Sequence, residues 1–141
     1  MADDSGDFAR SMGIATSGLR AQAGRMRVIS ENIANADSTA PTAGGEPYRR
    51  KVPTFSSELD RTLDAKLVTL GKVRPDSSAF RVKHEPSNPA ADAAGNVKYP
   101  NVNPLIEMSD MREAQRSYEA NLNIISATRR MIQRTLDILK A

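Results

Sequence analysis

The sequence predicts an elongated α+β protein in which long N- and C-terminal helices pair as a coiled-coil layer around a small, irregular β subdomain. Three observations carry that prediction. All eight prolines lie between Pro41 and Pro104, leaving both ends free of the residue that most disrupts helix interiors. Each proline-free end repeats apolar residues at spacings of three and four. The middle contains short β-like runs separated by Gly, Pro, Asn and Asp. These features divide the chain into an acidic, flexible segment 1–7, a helix within 8–40, a β-rich insert 41–103 and a helix within 104–141.

The first helix follows from two interleaved heptad series. Phe8, Ala15, Gln22 and Ile29 form one, and Met12, Leu19, Met26 and Ile33 form the other, with Gln22 the one polar member. This offers a narrow seam to a partner helix. Asp4 or Ser5 suits its N-cap, and Ala36 to Pro41 ends it. Gly13, Gly18 and Gly24 weaken it by about 1 kcal/mol each relative to alanine. The last helix carries Met111, Tyr118, Ile125, Ile132 and Leu139 in an unbroken seven-residue series, flanked by Met108, Leu122 and Leu136. Asn103 is the expected N-cap, with Pro104 at the first helical position, and Glu107 and Asp110 near the positive end of the dipole. The expected buried seam is therefore Phe8, Met12, Leu19, Met26, Ile29 and Ile33 on one helix, and Met111, Tyr118, Leu122, Ile125, Ile132, Leu136 and Leu139 on the other. Arg112, Arg116 and Arg130 lie on the opposite face.

Between the helices, strands are expected over Tyr48 to Phe55, Lys66 to Arg74, Phe80 to His84 and Val97 to Tyr99. Turns are expected at Gly44-Gly45, Arg74-Pro75-Asp76, Pro86 to Pro89 and Asp92 to Gly95. Prolines confine such strands to edges or bulges.

The composition offers little catalytic equipment. The chain has 141 residues, no cysteine and one histidine, His84. That removes thiolate chemistry, Cys-based metal sites and paired-imidazole mechanisms. No phosphate loop, nucleophile elbow or calcium loop is present, so neither cofactor nor metal is expected. Nucleic-acid binding is disfavoured because the net charge of +3 is spread as 0, +2 and +1 over residues 1–36, 37–104 and 105–141. The one basic cluster, Arg49-Arg50-Lys51, is expected at a strand edge or in an ionic contact with a partner. No apolar run is long enough to cross a bilayer.

Three segments, Ser30 to Ser38, Glu85 to Val102 and parts of Glu107 to Leu136, together resemble the flagellar rod and hook family of axial proteins. Ser30 to Ser38 is similar to that family's Asn-x-Ala-Asn-x-x-Thr/Ser signature, placing its motif at Asn32, Ala34 and Asn35. Glu85 to Val102 is similar to the middle motif of a short proximal-rod member, through Asn88, Pro89, Asp92, Gly95, Val97, Pro100, Asn101 and Val102. Glu107-Met108, Arg116 to Asn121 (with Tyr118 and Asn121) and Thr135-Leu136 are similar to the same member. The acidic start and Tyr99, where methionine is usual, depart from its pattern. The resemblance implies a structural subunit of the basal-body rod, exported without a cleaved signal through the flagellar type III apparatus. Its implied partners are other proximal and distal rod subunits, ring and export-gate junction proteins, and further copies of itself. It implies no nucleic-acid partner and no direct membrane insertion. A helical export chaperone or adaptor, or another axial rod protein, are the alternative readings.

Overall fold

A computed structural model of the chain describes the backbone of residues 2–140 and the side chains of residues 6–140. Helix α1 spans Ala2–Ala34 and helix α2 spans Pro104–Lys140. Six short strands lie between them: β1 (Lys51–Val52), β2 (Phe55–Asp60), β3 (Ala65–Leu70), β4 (Arg74–Pro75), β5 (Arg81–His84) and β6 (Asn96–Tyr99). They form three separate antiparallel pairs, β1–β4, β2–β3 and β5–β6. The α+β class expected from the sequence is the one observed.

The chain divides into two compact units, each taking part of both helices. The first contains residues 1–26, 54–72 and 113–141. Here Gly18 meets Asn121, and Arg25 pairs with Glu113 at 3.2 Å. Numbers rising on α1 match numbers falling on α2, so the helical segments run antiparallel. The hairpin β2–β3 rests on α1. Ser17 donates its hydroxyl to the Ile14 carbonyl and accepts the Val68 amide of β3, at 2.7 and 3.2 Å. The three glycines that weaken α1 are sites of close approach. A Cβ at Gly13 would meet Leu63, one at Gly24 would meet Leu70, and one at Gly18 would stand 2.8 Å from the Asn121 amide.

The buried positions of this unit are small: Ala15, Ser17, Ala21, Ala65, Ala114 and Thr128. The larger residues of the expected seam flank that line. Phe8, Met12, Leu19, Met26, Tyr118, Ile125 and Ile132 are half-buried, whereas Leu122, Leu136 and Leu139 are exposed. The physical reason is spacing: helices that approach through Gly and Ala leave no room for leucine at the contact line. Gln22, the polar member of the heptads, buries its Oε1 without a hydrogen-bond partner.

The second unit contains residues 27–53 and 73–112. Ile29 is buried, and Ile33 and Met111 are half-buried. Its β5–β6 hairpin closes through a chain of turns. Asn88 Oδ1 accepts the Ala90 amide, and Asp92 Oδ1 accepts those of Ala94 and Asn96. Gly95 adopts φ +80°, a conformation that disfavours any side chain. Val97, Pro100 and Val102 are buried beneath these turns.

Three local expectations need correction. Strand β2 was not expected, because Phe55-Ser56-Ser57-Glu58-Leu59-Asp60 is exposed along nearly its whole length and lacks an alternating apolar face. The expected strand from Lys66 to Arg74 is divided: β3 ends at Leu70, and Arg74 belongs to β4. Asp60 begins the hairpin turn by accepting the amides of Thr62 and Leu63, and Asp64 sits at φ 49°. Asp4 and Ser5 fall inside α1 rather than capping it, since the helix begins at Ala2.

Overpacking the close approach tests this arrangement. Gly18→Val should lower stability by about 1–3 kcal/mol, read as a fall in the denaturation midpoint by circular dichroism. An unchanged midpoint would contradict the contact with Asn121.

Candidate functional site

A polar knot occupies the centre of the second unit, built on the first turn of α2. Asn103 caps that helix by accepting the Leu105 amide on Oδ1 at 3.1 Å, and Pro104 takes the first helical position. The helix thus carries Glu107 inward, where its side chain is fully buried. An isolated buried carboxylate is costly, and three groups offset that cost here. Arg50 Nε donates to Glu107 Oε1 at 2.5 Å, and Asn32 Nδ2 donates to Oε2 at 3.1 Å. The helix dipole near its N-terminus adds a favourable field.

Asn32, also fully buried, uses its whole amide. Nδ2 donates to the Lys51 carbonyl at 2.8 Å as well as to Glu107. Oδ1 accepts the Lys51 amide at 2.9 Å and the Tyr48 hydroxyl at 2.8 Å. The Lys51 backbone fixes which end of the amide is which. Arg50 reaches Asp76 at 3.4 Å and Asp110 at 3.8 Å. Asn101 completes the cluster, accepting the Arg50 amide and donating to Asp76 and Ser78. Lys51 pairs with Glu31 on the outer side.

The electrostatics follow from these contacts. Hydrogen bonds from the Ser78 backbone and side chain, with Arg50 adding to them, hold the Asp76 carboxyl below the usual aspartate range. Burial, then the negative charges of Glu31 and Glu107, push the Tyr48 hydroxyl up to about 12. The Arg50 guanidinium is also raised: its hydrogen bond to Glu107 and the charges around it outweigh the opposing effect of burial. Such a cluster stabilises geometry. It presents no nucleophile with an adjacent base, and no group of side chains among the described residues is arranged to hold a metal ion.

The other motif residues also act in folding. Asn35 Nδ2 donates to the Glu31 carbonyl at the end of α1, and Ser38 donates its hydroxyl to the Asn35 carbonyl. Arg81 clamps the segment after α1 by donating to the carbonyls of Ala36 and Pro100, at 2.7 and 3.0 Å. Ala34 is exposed. Tyr99 donates to Glu85 at 2.8 Å under the Lys83 ammonium. His84 is exposed beside Asn96 at 3.3 Å. The basic cluster turns out to be bound within the chain: Arg50 to Glu107, Lys51 to Glu31, and Arg49 to the Asp76 and Ser78 carbonyls with its guanidinium 4.1 Å from the Phe80 ring.

The surface that could receive a partner is apolar and helical. In the first unit Ile124, Met131 and Ile138 repeat every seven residues along α2, and all are exposed, Ile138 to 75 %. They lie one residue, about 100°, from the line of Ile125 and Ile132. Leu122, Leu136 and Leu139 are also exposed on the same helix, away from that line. In the second unit Leu105, Ile106 and Met108 are exposed near the start of α2. Ile124, Met131 and Ile138 were not among the expected seam residues, though their heptad spacing is present in the sequence. A helix with so many uncovered large side chains marks an interaction surface.

Comparison with known proteins gives consistent matches. The family described as "Flagella basal body rod protein" matches residues 12–40, and "Flagellar basal body rod FlgEFG protein C-terminal" matches residues 93–138. "Flagellar basal-body rod protein FlgC" of Agrobacterium fabrum is 55 % identical over 128 residues, covering 91 % of this chain and 92 % of that protein. The proteins of the same name from Bacillus subtilis and Salmonella typhimurium are 39 % and 38 % identical. They cover 92 % and 89 % of this chain, and 97 % and 92 % of their own lengths.

Arg50→Ala should cost about 3–5 kcal/mol, because it leaves the Glu107 carboxylate buried without its cation. A loss below about 1 kcal/mol in denaturant unfolding would contradict the knot's role. The contribution of the neutral Tyr48 hydroxyl is complete below its ordinary value of 10.0 and fades as pH rises toward about 12. An alkaline absorbance titration should lose its highest-pH component in Tyr48→Phe, and retention of that component would refute the assignment.

Proposed function

Because the chain belongs to the FlgC family of flagellar basal-body rod proteins, we propose that its terminal helices assemble it into the torque-transmitting shaft as a structural subunit. The observation that carries this reading is the exposed apolar surface of α2, above all Ile124, Met131 and Ile138. Burying such side chains contributes about 25 cal/mol per Å² of apolar surface removed from water. Neighbouring subunits supply the cover that the chain's own small-residue helix contact leaves open.

The partners are the subunits on either side in the rod: further copies of this chain, other proximal and distal rod proteins, and components at the ring and export-gate junction. Contacts that repeat without closing generate the elongating array that a shaft requires. No catalytic step, cofactor or nucleic acid enters this role. No helix among the described residues is long and apolar enough to cross a membrane. Delivery is by type III export of the unfolded chain. A helix contact built from Gly, Ala and Ser suits that route: it buries little apolar area in the free chain, so the ends gain their full order on packing against neighbours.

Ile138→Asp places a charge on a side chain that the free chain leaves open. The variant should keep the circular dichroism of the parent and still be exported, while its amount in purified basal bodies and the swimming of the cells fall sharply. Wild-type swimming would overturn the assignment of this surface.

A further inference from the structure

The second unit holds a cleft that opens beside the knot and shares Tyr48, Lys51 and Glu31 with its outer side. This open cleft of about 800 Å³ is lined by Arg27, Arg49, Lys51 and Arg74, with Glu31 and Tyr48 among its walls. Four cations face one carboxylate, a formal local charge of +3. Glu31 is engaged by Lys51. Arg49 is anchored by two carbonyls and the Phe80 ring, contacts that fix its position and leave its charge unneutralised. Arg27 projects from α1 and Arg74 from β4, so the positive charge is mounted on ordered backbone on both sides.

We propose that this cleft receives the acidic segment Asp3 to Asp7 of a second copy of the chain. Charge complementarity selects the occupant. Residues 1–7 carry three aspartates and no Lys or Arg, and no other seven-residue stretch outside this region combines three carboxylates with the absence of a cation. The segment cannot serve its own cleft: Asp4 and Arg27 belong to one continuous helix, which does not double back on itself. The contact is therefore intermolecular, and in the rod reading it runs head-to-tail, from the start of one copy to the cleft of the next, the kind that propagates along an array. It rests on the reading of the chain as a rod subunit and adds to it a specific pair of surfaces. Exposed charges of this kind set register and partner choice, and they weaken with salt. The acidic start thereby acquires a role as the ligand of this cleft.

The absence of cysteine makes the contact directly testable. A chain carrying both Asp4→Cys and Arg74→Cys is expressed in place of the parent, and purified basal bodies are treated with a short bismaleimide. Covalent dimers and a ladder of higher multimers are expected, with neither single-cysteine chain giving a ladder. In parallel, Arg27→Glu with Arg74→Glu should reduce incorporation about tenfold or more. Adding Asp3→Lys and Asp4→Lys to that variant should restore most of it. A double-cysteine chain present in basal bodies without a ladder overturns the contact. Where that chain is not incorporated, the charge exchange decides: rescue supports the contact and failure of rescue overturns it. Loss of incorporation without rescue, accompanied by loss of heparin retention, would assign the cleft to an anionic partner other than this chain. Absence of the unmodified chain from basal bodies is a different outcome, and defeats the rod reading itself.

Discussion

A fully buried carboxylate has to be answered where it stands, and Glu107 dictates much of the second unit for that reason. Its position is set by the first turn of α2, which Asn103 and Pro104 start at a defined residue. From there it demands a cation, and Arg50 supplies one at 2.5 Å. It also demands a neutral donor for its other oxygen, which Asn32 provides. Because Asn32 simultaneously grips both backbone groups of Lys51, the end of α1, the start of α2 and strand β1 are joined through one side chain. Aspartate at that position would set two carboxylates against each other. Leucine would strand the Lys51 backbone and the Tyr48 hydroxyl without partners. All four hydrogen bonds available to the amide are made here, which gives the Asn of the signature a physical reason.

The first unit solves the opposite problem with the opposite chemistry. Its helices meet through Gly18, Ala21 and Ala114, and Asn121 lies against the bare backbone of Gly18. Close approach of this sort gives dense packing but little apolar burial, and the large side chains of α2 are displaced to its flanks. The same geometry that pairs the helices therefore leaves Ile124, Met131 and Ile138 uncovered. Self-sufficiency is exchanged for an adhesive surface. In a subunit that completes its burial against neighbours, both features belong to one design.

Much of this was legible in the sequence, and the omissions have physical causes. Proline distribution and heptad spacing located both helices, and Asn103-Pro104 located the start of α2. The heptads also indicated a seam, but periodicity alone cannot tell which of several adjacent lines touches the partner helix. Ala114, Asn121 and Thr128 continue the line of Glu107 every seven residues, but being small or polar they carry no hydrophobic periodicity, and Asn121 stands out only through the resemblance of its motif. Strand β2 was hidden for a related reason: its register with β3 is complete from Phe55 to Asp60, yet it buries no face and so carries no alternation. Arg50 was visible only as part of a basic run. That its charge is taken up by a residue 57 positions away is information that only the fold contains. The turn residues Asp92 and Gly95 were recognisable, since their chemistry is local.

The account turns on whether the open apolar line of α2 is covered by neighbouring subunits. The most direct measurement is thiol accessibility in a chain that has no native cysteine, with Ile124→Cys, Met131→Cys and Ile138→Cys introduced one at a time. Each should react rapidly with a small maleimide in the purified free chain and become strongly protected in isolated basal bodies. Equal labelling rates in the two states, with the variants present in the basal bodies, would contradict the account.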